Sequence, residues 1–100
     1  MKNYQKILNF NGFVLLPKIF KSSSIERAKN GLWEVIKGRY ETGIEPENRF
    51  WNPGDNSKDI IKIDKPHLSN KALLDLITTK SFGQYIAKIT NSTKIQIWHT

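Results

Sequence analysis

Cysteine is absent from this sequence, and its absence excludes several kinds of chemistry. Without a thiol the chain has no disulfide, no thiolate metal ligand and no cysteine nucleophile, a usage that suits a reducing compartment. Long apolar runs are missing as well, so residues 1–6 do not resemble a signal peptide and no later stretch reaches membrane-spanning length. We therefore expect a soluble cytoplasmic protein that does not bind membranes.

Arginine is scarce among the basic residues. Of the 16 lysines and arginines only Arg27, Arg39 and Arg49 are arginines, although the formal net charge is +7. The lysines occur singly and are interleaved with acidic residues, whereas a phosphate-binding surface more often clusters its charges and uses the bidentate arginine fork. The pattern favours solvated surface lysines over a nucleic-acid interface, and we expect no nucleic acid as a partner.

Histidine is nearly absent, and no sequence motif supplies a complete catalytic site. Glycine-rich phosphate loops, nucleophile elbows and His-Glu-x-x-His motifs are missing, and the only histidines are His67 and His99. A single histidine is more often a hydrogen-bonded structural residue than a ligand. Nothing in the sequence indicates that the two histidines lie close together.

The first forty residues predict a helix, a strand and a second helix. Apolar spacing over 4–10 favours a short helix that Gly12 ends, and the apolar run 13–16, closed by Pro17, favours a buried strand. Ser23 and Glu26 match a capping box, which predicts that a helix begins at the serines and ends at a following glycine, Gly38 or Gly43.

Residues 44–59 show neither a helical nor a strand period and predict a long loop. Loops of this length in compact domains are often lids or binding loops, particularly when they carry large aromatic residues such as Phe50 and Trp51. The alternative is that these rings only pin the loop to the core.

The rest of the chain predicts extended structure over 60–64, a break at Pro66 and two helices between residues 70 and 90. Ser69 or Asn70 would cap the first helix and Ser81 the second, and residues 91–92 would end the pair.

Residues 94–100 alternate apolar and polar side chains and predict a strand that needs neighbours on both edges. No turn signal follows this strand. We therefore expect residues 1–100 to be the opening part of one domain in a longer protein, and we expect the isolated chain to self-associate through the open strand edge.

The order of these elements resembles the N-terminal part of the phytanoyl-CoA dioxygenase family. The stretch Asn-Gly-Phe-Val-Leu-Leu-Pro at 11–17 is similar to the family's opening strand, and Ile-Gln-Ile-Trp-His at 95–99 is similar to the strand that enters its double-stranded β-helix, or jelly roll. The resemblance covers essentially the whole chain. It implies an α+β fold that consists of the N-terminal helices and first strands of a jelly-roll oxygenase, truncated before the metal site.

The resemblance also implies a function: a non-haem dioxygenase that uses Fe(II) and 2-oxoglutarate to hydroxylate a small or acyl substrate. Such enzymes hold iron through a His-x-Asp pair and a distant histidine. His67 has Ser69 in the place of that Asp, so we assign no metal or 2-oxoglutarate ligand to residues 1–100 and expect the chain alone to be inactive. As substrate-binding residues the resemblance indicates Arg49, Phe50, Trp51 and His67, which would suit an anionic or polar substrate.

Two other classes of function stay open at this point. The charge of +7, together with exposed aromatic residues such as Trp33, Trp51 and Trp98, is also compatible with a small basic module that binds nucleic acid or another anionic partner. A non-enzymatic interaction protein is the third class, and it requires that residues 1–100 fold cooperatively by themselves.

Overall fold

The computed structural model describes residues 3–100, which form four α-helices and a two-stranded antiparallel sheet. A single 3-10 turn at Pro66–Leu68 leads into the third helix. The α+β composition predicted from the sequence is confirmed. In chain order the elements are α1 (Tyr4–Asn11), α2 (Ser22–Ile36), β1 (Asn48–Arg49), β2 (Ile63–Asp64), α3 (Lys71–Ile77) and α4 (Lys80–Thr90).

The helix boundaries agree with the sequence where glycine or asparagine sets them. Gly12 ends α1 with φ 79°, and Gly38 follows α2 with φ 81°. Asn70 caps α3 by accepting a hydrogen bond from the backbone N–H of Leu73 at 3.3 Å. Asn91 ends α4 in the left-handed conformation.

Two predicted serine caps are wrong. Helix α2 begins one residue before Ser23, and its N-cap, Lys21, makes no side-chain capping bond. Ser81 lies inside α4, whose N-cap is Thr79. A row of serines offers several neighbouring starting points, and a helix boundary in such a row can shift by one or two residues.

The core lies between α2 and α3, and α1 packs against α4. Val35 is completely buried, and Ala28 and Ile89 are nearly so. Gly31 permits the close approach of α3: a Cβ at this position would lie 2.2 Å from Oδ1 of Asn70. The side chain of Asn70 is therefore both a helix cap and part of the helix interface.

Both longer strands predicted from the sequence are wrong. Residues 13–16 and 94–100 have no regular secondary structure, and the side chains of Phe13 and Leu15 are 66% and 87% exposed. A strand forms only where a neighbouring segment supplies backbone hydrogen-bond partners along its length. Neither segment has such a neighbour among residues 3–100. Within the described part of the chain, the one strand pair joins the loop predicted at 44–59 to the end of the segment predicted as extended at 60–64.

The chain exposes more surface than a compact protein of its mass. Its accessible surface is 7893 Å², against roughly 5,800 Å² expected for a folded monomer of 11.6 kDa. Its radius of gyration is 15.9 Å, against about 13 Å for a compact domain of this length. Large apolar side chains contribute to this surface, with Phe10, Ile60 and Trp98 each more than four-fifths exposed.

Candidate functional site

The aromatic loop is fixed to the small sheet at its centre. Arg49 pairs with Ile63 across the two strands, and the backbone N–H of Phe50 donates to the carbonyl of Lys62 at 2.9 Å. Residues 49–51 therefore emerge beside residues 62–64. The sheet places three of the four candidate substrate-binding residues along one short ribbon.

Arg49 binds the end of α2. Its Nη1 donates to the carbonyl of Val35 at 2.5 Å and to the hydroxyl of Tyr40 at 2.7 Å, and its Nη2 donates to the carbonyl of Ile36 at 2.7 Å. A longer bond from Nε reaches the carbonyl of Trp51 at 3.4 Å. The last carbonyls of a helix lack intrahelical partners and carry its negative dipole end, so a guanidinium is well suited to this position. These contacts leave Arg49 little capacity to bind a substrate.

The two aromatic side chains of the loop differ in their surroundings. Trp51 is half-buried, and its indole N–H donates to the carbonyl of Asn56 at 3.0 Å, which closes the loop on itself. Phe50 is 60% exposed, and Nζ of Lys62 lies 4.5 Å from the centre of its ring. Trp51 therefore has a structural role in the loop. Phe50 and Lys62 together offer an accessible surface that is both apolar and cationic.

The fourth candidate, His67, lies in a polar cluster with the far end of the chain. Its Nδ1 is 2.7 Å from Oγ1 of Thr100, and the backbone N–H of Lys65 donates to the carbonyl of Thr100 at 3.0 Å. Nε2 of His99 lies 3.9 Å from a carboxylate oxygen of Asp64. The structure thus brings residues 99–100 alongside β2 and the turn that follows it, which the sequence did not indicate.

The cluster favours a neutral imidazole at His67. Burial lowers the pKa of His67 below its ordinary value of 6.5, and the positive charges of Lys65 and His99 lower this pKa further. A neutral ring has one donor nitrogen and one acceptor nitrogen, so His67 can exchange hydrogen bonds with Thr100 and with a polar ligand at the same time.

Within residues 3–100 no group of three or more histidine, cysteine or acidic side chains could hold a metal ion. His67, His99 and Asp64 of the polar cluster thus do not form such a group, although a non-haem iron centre needs two histidines and one carboxylate on one face. The described helices also include none that is both long and apolar enough to cross a bilayer.

Sequence reasoning missed a buried polar pair at the start of α3. Ser69 is completely buried and Asn70 is 4% exposed. Within the described part of the chain the Ser69 hydroxyl has no hydrogen-bond partner. Thr42 donates to the neighbouring carbonyl of Leu68 at 2.7 Å, so the loop after α2 covers this helix start. Asn70 was predicted as a cap, but only the contact between α2 and α3 buries it.

No protein-family model matches this chain, and neither a curated protein nor a solved structure matches it.

Proposed function

We propose that this chain is the N-terminal segment of a non-haem dioxygenase that uses Fe(II) and 2-oxoglutarate to hydroxylate a small or acyl substrate in the cytoplasm. The residue patterns at 11–17 and 95–99, which resemble the phytanoyl-CoA dioxygenase family, are the basis of the proposal. In this proposal the four helices cover one side of a jelly roll whose remaining strands follow residue 100.

The observation that best supports the proposal is the surface left uncovered by the helices and the short sheet. The excess of roughly 2,000 Å² over the expected monomer surface is more than the ~800 Å² that one partner contributes to a standard protein interface. An excess of that size is compatible with a chain that packs against further structure. A sheet packed on these helices would bury it.

The position of residues 94–100 supports the proposal in a second way. Thr100 accepts a backbone hydrogen bond from Lys65, which directly follows β2, so the segment approaches β2 on the edge that β1 leaves free. In a longer protein, further strands would extend the backbone hydrogen bonding beside β2, which here consists of this single bond. The jelly roll itself is an expectation from the resemblance.

Arg49 does not keep the substrate-binding role expected from the resemblance. Arg49 is engaged with α2, so we assign the cationic role to Lys62, whose ammonium lies over the exposed ring of Phe50. His67 would contribute a neutral hydrogen-bonding imidazole, and Trp51 would hold the loop in shape. A substrate with an acyl chain and a polar or anionic head suits this combination.

Iron, when bound by such an enzyme, supplies the oxidative decarboxylation of 2-oxoglutarate and the activation of oxygen. The residues described here would not hold it. In the proposed enzyme these residues would cover the jelly-roll sheet, exclude water from one side of the iron site and contact the substrate.

The test is to express the longest open reading frame that contains residues 1–100 and to measure succinate formation from 2-oxoglutarate with and without added Fe(II). We expect Fe(II)-dependent succinate formation, and a His-x-Asp pair followed much later by another histidine in the sequence after residue 100. A reading frame that closes at Thr100, or one that continues without these residues, would exclude the proposal.

A nucleic-acid-binding function has less support from the structure. Arg39 forms an ion pair with Glu34 at 2.6 Å, and Arg49 binds backbone carbonyls, so two of the three arginines are engaged within the chain. Phosphate contacts would therefore fall mainly to lysines, which bind phosphate as point charges and not through the bidentate fork of arginine.

A further inference from the structure

Residues 93–99 carry a strand-like sequence whose backbone hydrogen-bonding groups have no backbone partner among residues 3–100. The only backbone bond of the region joins Lys65 to Thr100 and anchors its end beside β2. Exposed donors and acceptors in a segment of high strand propensity are the features that another strand pairs with.

The side chains of this segment divide into two sets. Ile95 and Ile97 are less exposed than Trp98: Ile95 is 41% exposed and Ile97 is half-buried, whereas Trp98 is 86% exposed. Gln96 is exposed as well. In a strand, odd and even positions lie on opposite faces, so one face would be apolar and the other would carry Lys94, Gln96 and Trp98.

We infer that residues 93–99 pair antiparallel with the same residues of a second copy of this chain, about a two-fold axis through Gln96. A second copy of the chain is favoured as the partner because the side chains of the two segments complement each other. In this register each Ile95 lies opposite Ile97 of the other chain, and each Lys94 lies opposite Trp98. No two like charges face each other, and apolar and cation–aromatic cross-strand pairs both stabilise a sheet.

The register follows from the alternation of side chains. A shift by one residue would place the apolar face of one copy beside the polar face of the other. A shift by two, with the axis through Ile97, keeps the faces matched but places Ile95 opposite His99 and shortens the paired segment. The axis through Gln96 gives the longest overlap with both isoleucine pairs intact.

Cysteine substitution provides a direct test, because the chain has no cysteine of its own. Directly opposed residues in an antiparallel pair have Cα atoms about 4.5–5.5 Å apart, within the range of a disulfide. Gln96→Cys should therefore form a disulfide-linked dimer under mild oxidation with glutathione. In Lys94→Cys the two sulfurs would be offset by four residues, roughly 14 Å along the strands, and no direct link should form.

Mixing Lys94→Cys with Trp98→Cys should restore the link between copies, because the register places these positions opposite each other. A dimer that Gln96→Cys does not capture, or one that Ile97→Cys captures in its place, would overturn the register.

Sedimentation of variants without cysteine tests whether residues 93–99 form the dimer interface, because it measures the mass of the chain in solution. The wild-type chain should sediment with a mass about twice 11.6 kDa at high concentration. Ile95→Asp should convert it to a monomer, whereas Ile60→Asp, at a position that is 89% exposed outside the segment, should leave the dimer unchanged. Circular dichroism checks that both variants keep their helices. A wild-type chain that stays monomeric, or a dimer that survives Ile95→Asp, would refute the inference.

This inference does not rest on the proposed enzymatic function. In the proposed parent enzyme a strand of its own sheet would occupy the same backbone groups. The longer protein would then lack this dimer, while the succinate assay would be unaffected.

Discussion

Replacing Arg49 by methionine tests whether this side chain supports the fold rather than a substrate. Methionine keeps most of the length and apolar volume of the side chain but removes the donors to Val35, Ile36 and Tyr40. Hydrogen bonds from a charged group contribute about 1.5–3 kcal/mol each, and bonds that share one guanidinium are not additive. We expect a loss of about 3 kcal/mol in the free energy of unfolding, a large share of the roughly 5–15 kcal/mol of a whole domain.

The assay is urea unfolding followed by circular dichroism at 222 nm, with a thermal scan beside it. For a chain of this size a loss of about 3 kcal/mol corresponds to a fall in Tm of roughly 12–24 °C. Arg49→Lys should recover only part of the loss, since an ammonium cannot reproduce the planar fork of donors.

Arg27→Met is the matched control for this experiment. It makes the same substitution at an exposed position on α2, and it should change the free energy of unfolding by no more than about 0.5 kcal/mol. If Arg49→Met were as stable as Arg27→Met, the contacts at the end of α2 would not matter to the fold, and Arg49 would be available again as a substrate-binding residue.

Three further predictions follow from the packing and the polar cluster. Gly31→Ala should destabilise the chain in spite of a better helix propensity, because its Cβ would collide with Asn70, whereas Gly83→Ala in α4 meets no atom within 4 Å and should stabilise it by up to about 1 kcal/mol in the same urea assay. The folded state disfavours the charged form of His67, so this residue's contribution to stability should be complete above its unfolded pKa of 6.5 and should be lost as the pH falls below that value; an NMR titration midpoint at or above 6.5 would contradict this. The chain should bind Fe(II) without defined stoichiometry in calorimetry, since residues 3–100 contain no group of three metal ligands; stoichiometric binding that His67→Ala or His99→Ala removes would contradict this.

The sequence by itself determined the helices and several of their boundaries, but not the starts of α2 and α4. Apolar spacing located α1, α2 and the pair α3 and α4, and the residues that end them act through local geometry: glycine takes a positive φ at no steric cost, and the side chain of Asn70 can reach a free backbone N–H. Such effects involve residues a few positions apart, which is why a single sequence is enough to predict them. The same reasoning identified the loop bearing Phe50 and Trp51.

Only the tertiary structure decided where strands form and what the polar residues do. Strand propensity at 13–16 and 94–100 produced no strand, because ladder hydrogen bonds come from another segment, while the two residues of β1, inside a predicted loop, found partners in β2. Arg49 contacts a helix end 13 residues earlier in the chain, and His67 meets Thr100 33 residues later. Contacts over such separations depend on how the helices pack, and no periodicity or motif in the sequence encodes them.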